Sequence, residues 1–397
     1  MRKLIAVVVT LVMLPALLLA ADIQIPENLR ARAYVLKAER DGLWEKSLVV
    51  QFTEKRRTLG TLDGFVDAYA VLNHSAHPLL WQKVSENFMS QDGRGGKLYT
   101  EFMQQKVADD LKLKKSDINK MATAANMDNL AVVTKEFKPF TVAVLATGGA
   151  RTNAIRTGVD ESSHIEGEEP KGTINIVLLT NALLTDGAMA RAIITMTEAK
   201  TAALEDLKVP SSYTKSVQAT GTGTDSIIVV SGVTGPKATY TGGHSKIGEM
   251  IGKATYEAVV EALGKQNGFL LPGAKPYVTE NSRREKLAKD SAIKWLKMVD
   301  DSRFADSWKY ASKIFRQSVQ QEQWITMINS ARNPLGKQVS RQFYRSLYTK
   351  KLPGVPDGEY VIIEFNTVFE NKTGAIETVT SKLEDDGIWK ISGYFIK

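Results

Sequence analysis

Gly172 to Leu207 reads "GTINIVLLTNALLTDGAMARAIITMTEAKTAALEDL". An apolar strand runs straight into a helix that starts at Asp186 and ends near Leu207. The helix carries Met189, Ile193, Met196 and Ala203 on one stripe. Arg191, Thr195 and Glu198 recur at spacings of four and three on another face. That polar stripe is read either as a solvated face or as the wall of a cleft. In the second case Glu198 is the best-placed general base and Arg191 its electrostatic partner.

Working outward, "FTVAVLAT" is a second strand that enters "GGARTNAIRTG", and a further strand is expected at Leu130 to Thr134. Between the two main strands "GVDESSHIEGEEPKG" is acidic and punctuated by Gly and Pro, so it is expected to be exposed and mobile. Both strands end in Thr-Asn-Ala, at Thr152-Asn153-Ala154 and Thr180-Asn181-Ala182, and an earlier segment ends in Asn73-His74. Upstream, a helical lead-in is expected from Glu27 to Glu45. "KSLVVQFTEKRRTLGTLDGF" reads as two short strands joined by a charged turn at Glu54-Lys55. "VADDLKLKKSDINKMATAANM" has helical spacing, with Asp117 as a cap.

Downstream, a helix is predicted from Ser245 with Ile247, Ile251, Ala254 and Ala258 on one stripe. Gly248 and Gly252 lie where the backbone can press on a neighbour. Periodicity is lost from Leu263 to Glu280, the predicted domain boundary. Ser282 to Asn329 is helical with Trp295, Trp308 and Trp324 as anchors, and the remainder alternates strands with turns. The fold class is therefore mixed α+β / α/β: a layered sheet-and-helix domain (22–264), a linker (265–290) and a small α+β domain of helices followed by an antiparallel meander (291–397).

The 397 residues, 43% of them hydrophobic, suffice for two cores. Arg2 and Lys3 precede "LIAVVVTLVMLPALLLA", broken by Pro15 and closed by Ala20-Ala21. This has the form of a secretory signal peptide over residues 1–21, with a membrane anchor as the competing reading. The expected location is exported, periplasmic or extracellular. Cys is absent, which excludes disulfides, a thiol nucleophile and thiolate metal sites. A formal charge of +8 falls to about +6 once Arg2 and Lys3 are removed. No basic stripe with interleaved aromatics points to nucleic acid.

"VQATGTGTDSIIVV", Val217 to Val230, fails as a P-loop because Gly223 is followed by Thr224-Asp225 and a strand. It fails as a dinucleotide fingerprint because position 226 is Ser226. A glycine-rich hairpin turn, with Asp225 bonding its own backbone, and a ligand-contacting loop remain open. His74 and His77 are three apart but lack further metal ligands, and His164 sits in the acidic loop. His244 lies in "TGGHSKIGE" at a helix start, where free N–H groups favour negative charge or a carbonyl oxygen.

Several long stretches together, "RTLGTLDGF" with "VLNH", "ATGGARTNAIRTG", "GTINIVLLTNALLTDGAMARAIITMTEAKTAAL", "ATGTGTDSIIVV" and "YTGGHSKIGEMIGKATYEAV", resemble the adenosylcobinamide amidohydrolase family over about residues 47–263. The resemblance implies hydrolysis of the amide between the corrin side chain and aminopropanol, in corrinoid (vitamin B12) salvage or remodelling. The products would be adenosylcobyric acid and aminopropanol. It implies a corrinoid substrate that brings its own cobalt, with no cofactor or metal held by protein ligands. Ser291 to Lys397 is similar to a small domain family of unassigned function, with a contact to the envelope or a transporter as its expected role. Members usually look cytoplasmic, so the export signal suggests trimming of corrinoids before import. An exported, non-catalytic corrinoid-binding protein is the alternative.

Amide hydrolysis needs an activated nucleophile, an oxyanion stabiliser and an acid for the amine. Glu198 and His244 are the catalytic candidates. Asn153, Asn181 and the backbone N–H groups of Gly221–Gly223 are the candidates for the oxyanion. Thr222 or Thr224 serves as nucleophile only with a base within hydrogen-bond distance. Asn73, His74, Asn153, Asn181, Arg191, Gly221, Thr222, Gly223, Thr224 and Asp225 are the expected substrate contacts. Asn181, Glu198, Thr222 and His244 are expected to meet in one hollow wide enough for a macrocycle.

Overall fold

The computed structural model describes residues 19–40, 43–78, 80–81, 95–161, 172–278 and 280–397. His164 and most of the acidic loop lie outside them, as does the segment before Leu19. The chain forms two compact units, one running up to Arg40 and over Trp44–Lys275, the other over Pro276–Lys397. Among the described residues no helix is long and apolar enough to cross a membrane.

The first unit is a curled nine-stranded sheet, accompanied by two short strands that pair in parallel, β10 (Leu183–Leu184) and β13 (Lys237–Ala238). Its path runs β1 (Leu19–Ile23), β2 (Ala31–Arg40), β3 (Leu43–Gly60), then β12 (Ser226–Val230), β9 (Ile174–Thr180), β7 (Phe140–Gly148) and β6 (Ala131–Phe137). β4 (Gly64–Ala76) pairs with β3, and β5 (Ile118–Thr123) lies parallel to β4. Strand β9 explains the unbroken apolar run of its sequence. Ile174, Ile176 and Leu178 face two helices, whereas Val177 and Leu179 face a second core that contains Val35, Leu48, Val71 and Met121. Both faces are covered, so neither can be polar over most of its length.

The covering helices are α2 (Asp186–Asp206) and α3 (Lys246–Asn267), while α1 (Gly95–Leu111) packs on β4 and β5. Helix α2 is capped by the Thr185 side chain and α3 by that of Ser245. Gly248 abuts the Gly242 carbonyl so closely that a Cβ there would lie 2.0 Å from the oxygen.

Three local expectations are corrected. Within the lead-in from Glu27 to Glu45, Ala31–Arg40 is strand β2, because Ala33 and Val35 enter one core and Tyr34 another, which only an extended chain can do. Glu54-Lys55 is not a turn. β3 runs on to Gly60, and the charged pair sits where its register with β4 slips between Gln51 and Arg56. The real turn is Thr61–Asp63, closed by Gly64 at φ +68°. The helix read across Asp117 ends at Leu111, and Ile118–Thr123 is a strand with Ile118 and Met121 in different cores. Asp117 instead pairs with Lys55 at 2.8 Å.

At that register slip Arg56 turns inward. Its guanidinium, 2% exposed, donates to the carbonyls of Leu29 (2.8 Å), Thr180 (2.7 Å) and Ser231 (2.7 Å).

The second unit carries α4 (Glu280–Asp300), α5 (Phe304–Lys309), α6 (Lys313–Ser318) and α7 (Gln321–Arg332). They precede the antiparallel meander β14 (Gln338–Thr349), β15 (Tyr360–Phe369), β16 (Lys372–Leu383) and β17 (Trp389–Ile396). Trp295 and Trp324 are buried against Val361, Phe365 and Ile391, and their indole N–H groups donate to the Ser307 carbonyl and hydroxyl. Helix α4 already begins inside the segment expected to be a linker.

Candidate functional site

The Gly-Thr loop is not a hairpin turn. Gly221–Thr222 forms strand β11, which pairs with β8 (Ala154–Ile155) rather than with β12. Asp225 organises the loop. Its Oδ1 accepts from the Thr222 hydroxyl (2.5 Å) and the Ile174 N–H (3.1 Å), and its Oδ2 accepts from the Thr222 N–H (3.1 Å). The Lys200 ammonium, on α2, pairs with the same Oδ2. Lys200 is 6% exposed, and a charge that deep is tolerable only with a partner of opposite sign. Gly221 leaves room for the pair: a Cβ there would lie 2.4 Å from Asp225 Oδ2 and 2.5 Å from Lys200 Nζ.

Distant segments hold the loop. The Gly223 N–H donates to the Asn153 carbonyl (3.1 Å), and the Asn153 amide donates to Gly172 O (2.8 Å) while accepting from Tyr213 OH (2.9 Å). The Thr224 hydroxyl donates to Gly172 O (2.8 Å). The Thr173 hydroxyl donates to Thr224 O (2.5 Å) and lies 3.1 Å from Asn175 Oδ1. Asn175 in turn donates to Asn73 Oδ1 (2.9 Å), and Asn73 donates to the Thr147 hydroxyl (3.1 Å). Asn73 and Asn153 are fully buried, so they brace the loop from below, whereas Gly223, Thr224 and Tyr213 face solvent.

This accounting changes two expected roles. The N–H groups of Thr222 and Gly223 are already spent on Asp225 and Asn153, so they are not free to receive an oxyanion. Thr222 does have a base within hydrogen-bond distance, and it is Asp225. Thr224 has only a backbone carbonyl.

The single hollow expected of Asn181, Glu198, Thr222 and His244 is not formed. Asn181 lies at the far end of β9 from Asn175, about 20 Å along a seven-residue strand. There its amide is spent on Pro139 O (3.0 Å) and the Thr141 N–H (2.8 Å). His244 is exposed beside the start of α3, whose last residue, Asn267, bonds Ala150 N–H. The 22 residues between put His244 about 33 Å from the Asn153 end. Arg191 is exposed with its guanidinium 5.3 Å from the Tyr240 ring, also towards the His244 end. Glu198 is exposed and lies about 200° around α2 from Lys200, turned away from the loop. His74 belongs to neither end. Both of its ring nitrogens are engaged, with Ser47 and Tyr99, on the α1 face of the sheet, which also disposes of a His74/His77 metal pair.

Lys200, Thr173, Asn175 and Tyr213 are the residues that the sequence reading missed. Lys200 had a signal: it falls one turn after Met196 and three residues before Ala203, on the apolar stripe of α2. A lysine on a buried stripe demands a carboxylate.

A family described as adenosylcobinamide amidohydrolase matches residues 32–270, and a family of proteins of unknown function matches residues 291–394. An uncharacterized protein of Methanocaldococcus jannaschii is 45% identical over 245 residues, 58% of this chain and 91% of the relative. A crystal structure of a Pyrococcus horikoshii OT3 protein aligns at 10% identity and a TM-score of 0.28, over 59% of this chain and 78% of the other. The chain belongs to the adenosylcobinamide amidohydrolase family.

Proposed function

We propose that, as a member of this family, the protein hydrolyses the aminopropanol amide of adenosylcobinamide, and that Thr222, Asp225 and Lys200 perform the reaction. One observation carries the assignment: the Thr222 hydroxyl donates to a carboxylate whose other oxygen is held by a buried ammonium. In the first step the Thr222 oxygen bonds to the amide carbon and its proton passes to Asp225. The C–N bond then breaks, and aminopropanol leaves with that proton on its nitrogen. Water cleaves the resulting ester, giving the corrinoid carboxylic acid and returning a proton to Thr222. Lys200 keeps Asp225 in the orientation that faces the hydroxyl, and the Asn153–Thr173–Asn175 network fixes the loop beneath the exposed Gly223 and Thr224.

Cobalt arrives and departs with the corrinoid. Export is part of the same reading, motivated by the basic, apolar and small-residue order of residues 1–21. Cell fractionation that finds the chain cytosolic with Met1 intact would refute it. For the chemistry, purified protein is incubated with adenosylcobinamide and aminopropanol is followed by mass spectrometry. Release that disappears in Thr222→Ala and in Asp225→Asn supports the assignment. Release that persists in both rejects these residues, and tight corrinoid binding without any release favours a carrier.

A further inference from the structure

With the chemistry placed on the Thr222 loop, the outward face of α2 is left without a role. Arg191 and Glu198 are both exposed there, and neither has a partner of opposite charge among the described residues. They sit seven residues apart, about 10 Å along the axis, too far to pair with each other. The rest of this layer pairs its charges internally: Glu249 on α3 with Lys246 (2.5 Å) and Lys253 (2.7 Å), Glu257 with Lys135 (2.6 Å), and Asp186 at the start of α2 with Arg57 (3.0 Å).

Between the two unpaired charges Ile194 keeps 49% of its surface in water, and the Tyr240 ring, exposed to the same degree, lies 5.3 Å from the Arg191 guanidinium. One exposed isoleucine needs no explanation by itself. The arrangement around it does. At about 100° per residue Arg191 and Glu198 project about 20° apart, both on the same side of Ile194, and Ile194 stands at their midpoint along the axis. Such a face is complementary to its own copy. With a second α2 lying antiparallel across it and the two-fold axis beside Ile194, Arg191 of each helix comes level with Glu198 of the other, and the two isoleucines meet. The flanking exposed positions are Gly187, Ala190, Thr197 and Ala202, all small, so nothing bulky holds the helices apart.

We propose that the outer face of α2 is where two copies of this chain associate, through reciprocal Arg191–Glu198 pairs around an Ile194 contact. The occupant is a second copy because opposite charges placed evenly about one apolar residue satisfy themselves under a two-fold rotation. A single helix pair is at the small end of specific interfaces, so the dimer is weak and dissociates on dilution. Lys200, which faces the Thr222 loop, lies about 120° around α2 from Ile194, so the paired face is not the one that carries the loop.

Sedimentation velocity of the purified chain over about 1–300 µM tests this, with half-association expected on the order of 10–100 µM. Arg191→Glu and Glu198→Arg each set like charges across the two-fold, and each is expected to weaken association by about tenfold or more. The double variant Arg191→Glu/Glu198→Arg reverses both pairs and is expected to recover association to within about threefold of wild type. A wild-type chain that stays monomeric throughout makes the stripe a solvated face and overturns the proposal. A dimer unmoved by either single change, or a double variant no better than the singles, overturns it as well. Should a charge reversal disturb folding, Ile194→Ser is expected to weaken association about tenfold, and unchanged association again overturns the contact. Association is read without substrate, so the outcome is independent of whether Thr222 cleaves the corrinoid amide.

Discussion

The Thr222 loop and the Ser47–His74 pair each hold a hydroxyl against a hydrogen-bond acceptor, by opposite means. At Thr222 the base is three residues along the same loop, and the difficulty is keeping the loop still. Asn153, Gly172, Thr173 and Lys200 do that from four directions. At Ser47 the acceptor, His74, stands across a strand pair, and the ladder itself supplies the rigidity. A loop site presents its hydroxyl just below exposed residues, where a bulky macrocycle can reach it. The ladder instead buries its hydroxyl among packed side chains.

The sharpest break in this contrast is Thr222→Ala, expected to lower aminopropanol release by about a thousandfold or more with the urea midpoint little changed. Release at the wild-type rate would move the chemistry off the loop. Next in size, Lys200→Met leaves Asp225 charged, partly buried and unpaired. A stability loss of about 3–5 kcal/mol is expected, read as a lower urea midpoint. If the midpoint does not move, the ion pair is not what steadies the loop.

The ladder side is probed by pH. His74 and His77 are both depressed by burial, to about 3 and about 4, below their unfolded values. Their contribution to stability is therefore intact above the unfolded pKa and is lost as pH falls through it. Between about pH 6.5 and 5 each should cost about 1.4 kcal/mol per pH unit, and urea midpoints over that window check it. A flat profile would mean that these rings reach water. The smallest effect is expected for Glu198→Gln and His244→Ala, about twofold or less on aminopropanol release, since neither faces the Thr222 loop. A large loss in His244→Ala would return the chemistry to the other end of the sheet, and one in Glu198→Gln would move it to the outer face of α2.

How much of this could be read from residues alone depends on the range of the interaction. The strand–helix passage from Gly172 to Leu207 was legible because its pattern is local, as were α3, the tryptophan-anchored helices and the final meander. Thr222 and Asp225 were each legible as loop residues for the same reason, but the hydrogen bond that makes Asp225 the base beside Thr222 was not. Ser47 and His74 were not, because only the β3–β4 register brings them together, and that register includes a slip that the charges at Glu54-Lys55 disguised as a turn. Asn181 and His244 misled through resemblance of context: Thr-Asn-Ala recurs at Asn153 and Asn181, yet one asparagine braces the loop and the other closes the cis-Pro139 corner. Nothing in their spelling says which end of the sheet each will occupy.

Arg56 ties the beginning of the chain to its middle. Because one guanidinium arm rests on the Leu29 carbonyl, proteolytic trimming is costliest where it removes that residue. A cut upstream shortens β1, an edge strand. A cut beyond Leu29 strands an N–H in an apolar interior at a cost of about 1–3 kcal/mol. The smallest autonomous fragment of this unit must therefore begin before Leu29, and stepwise N-terminal deletions should show a cliff there instead of a slope.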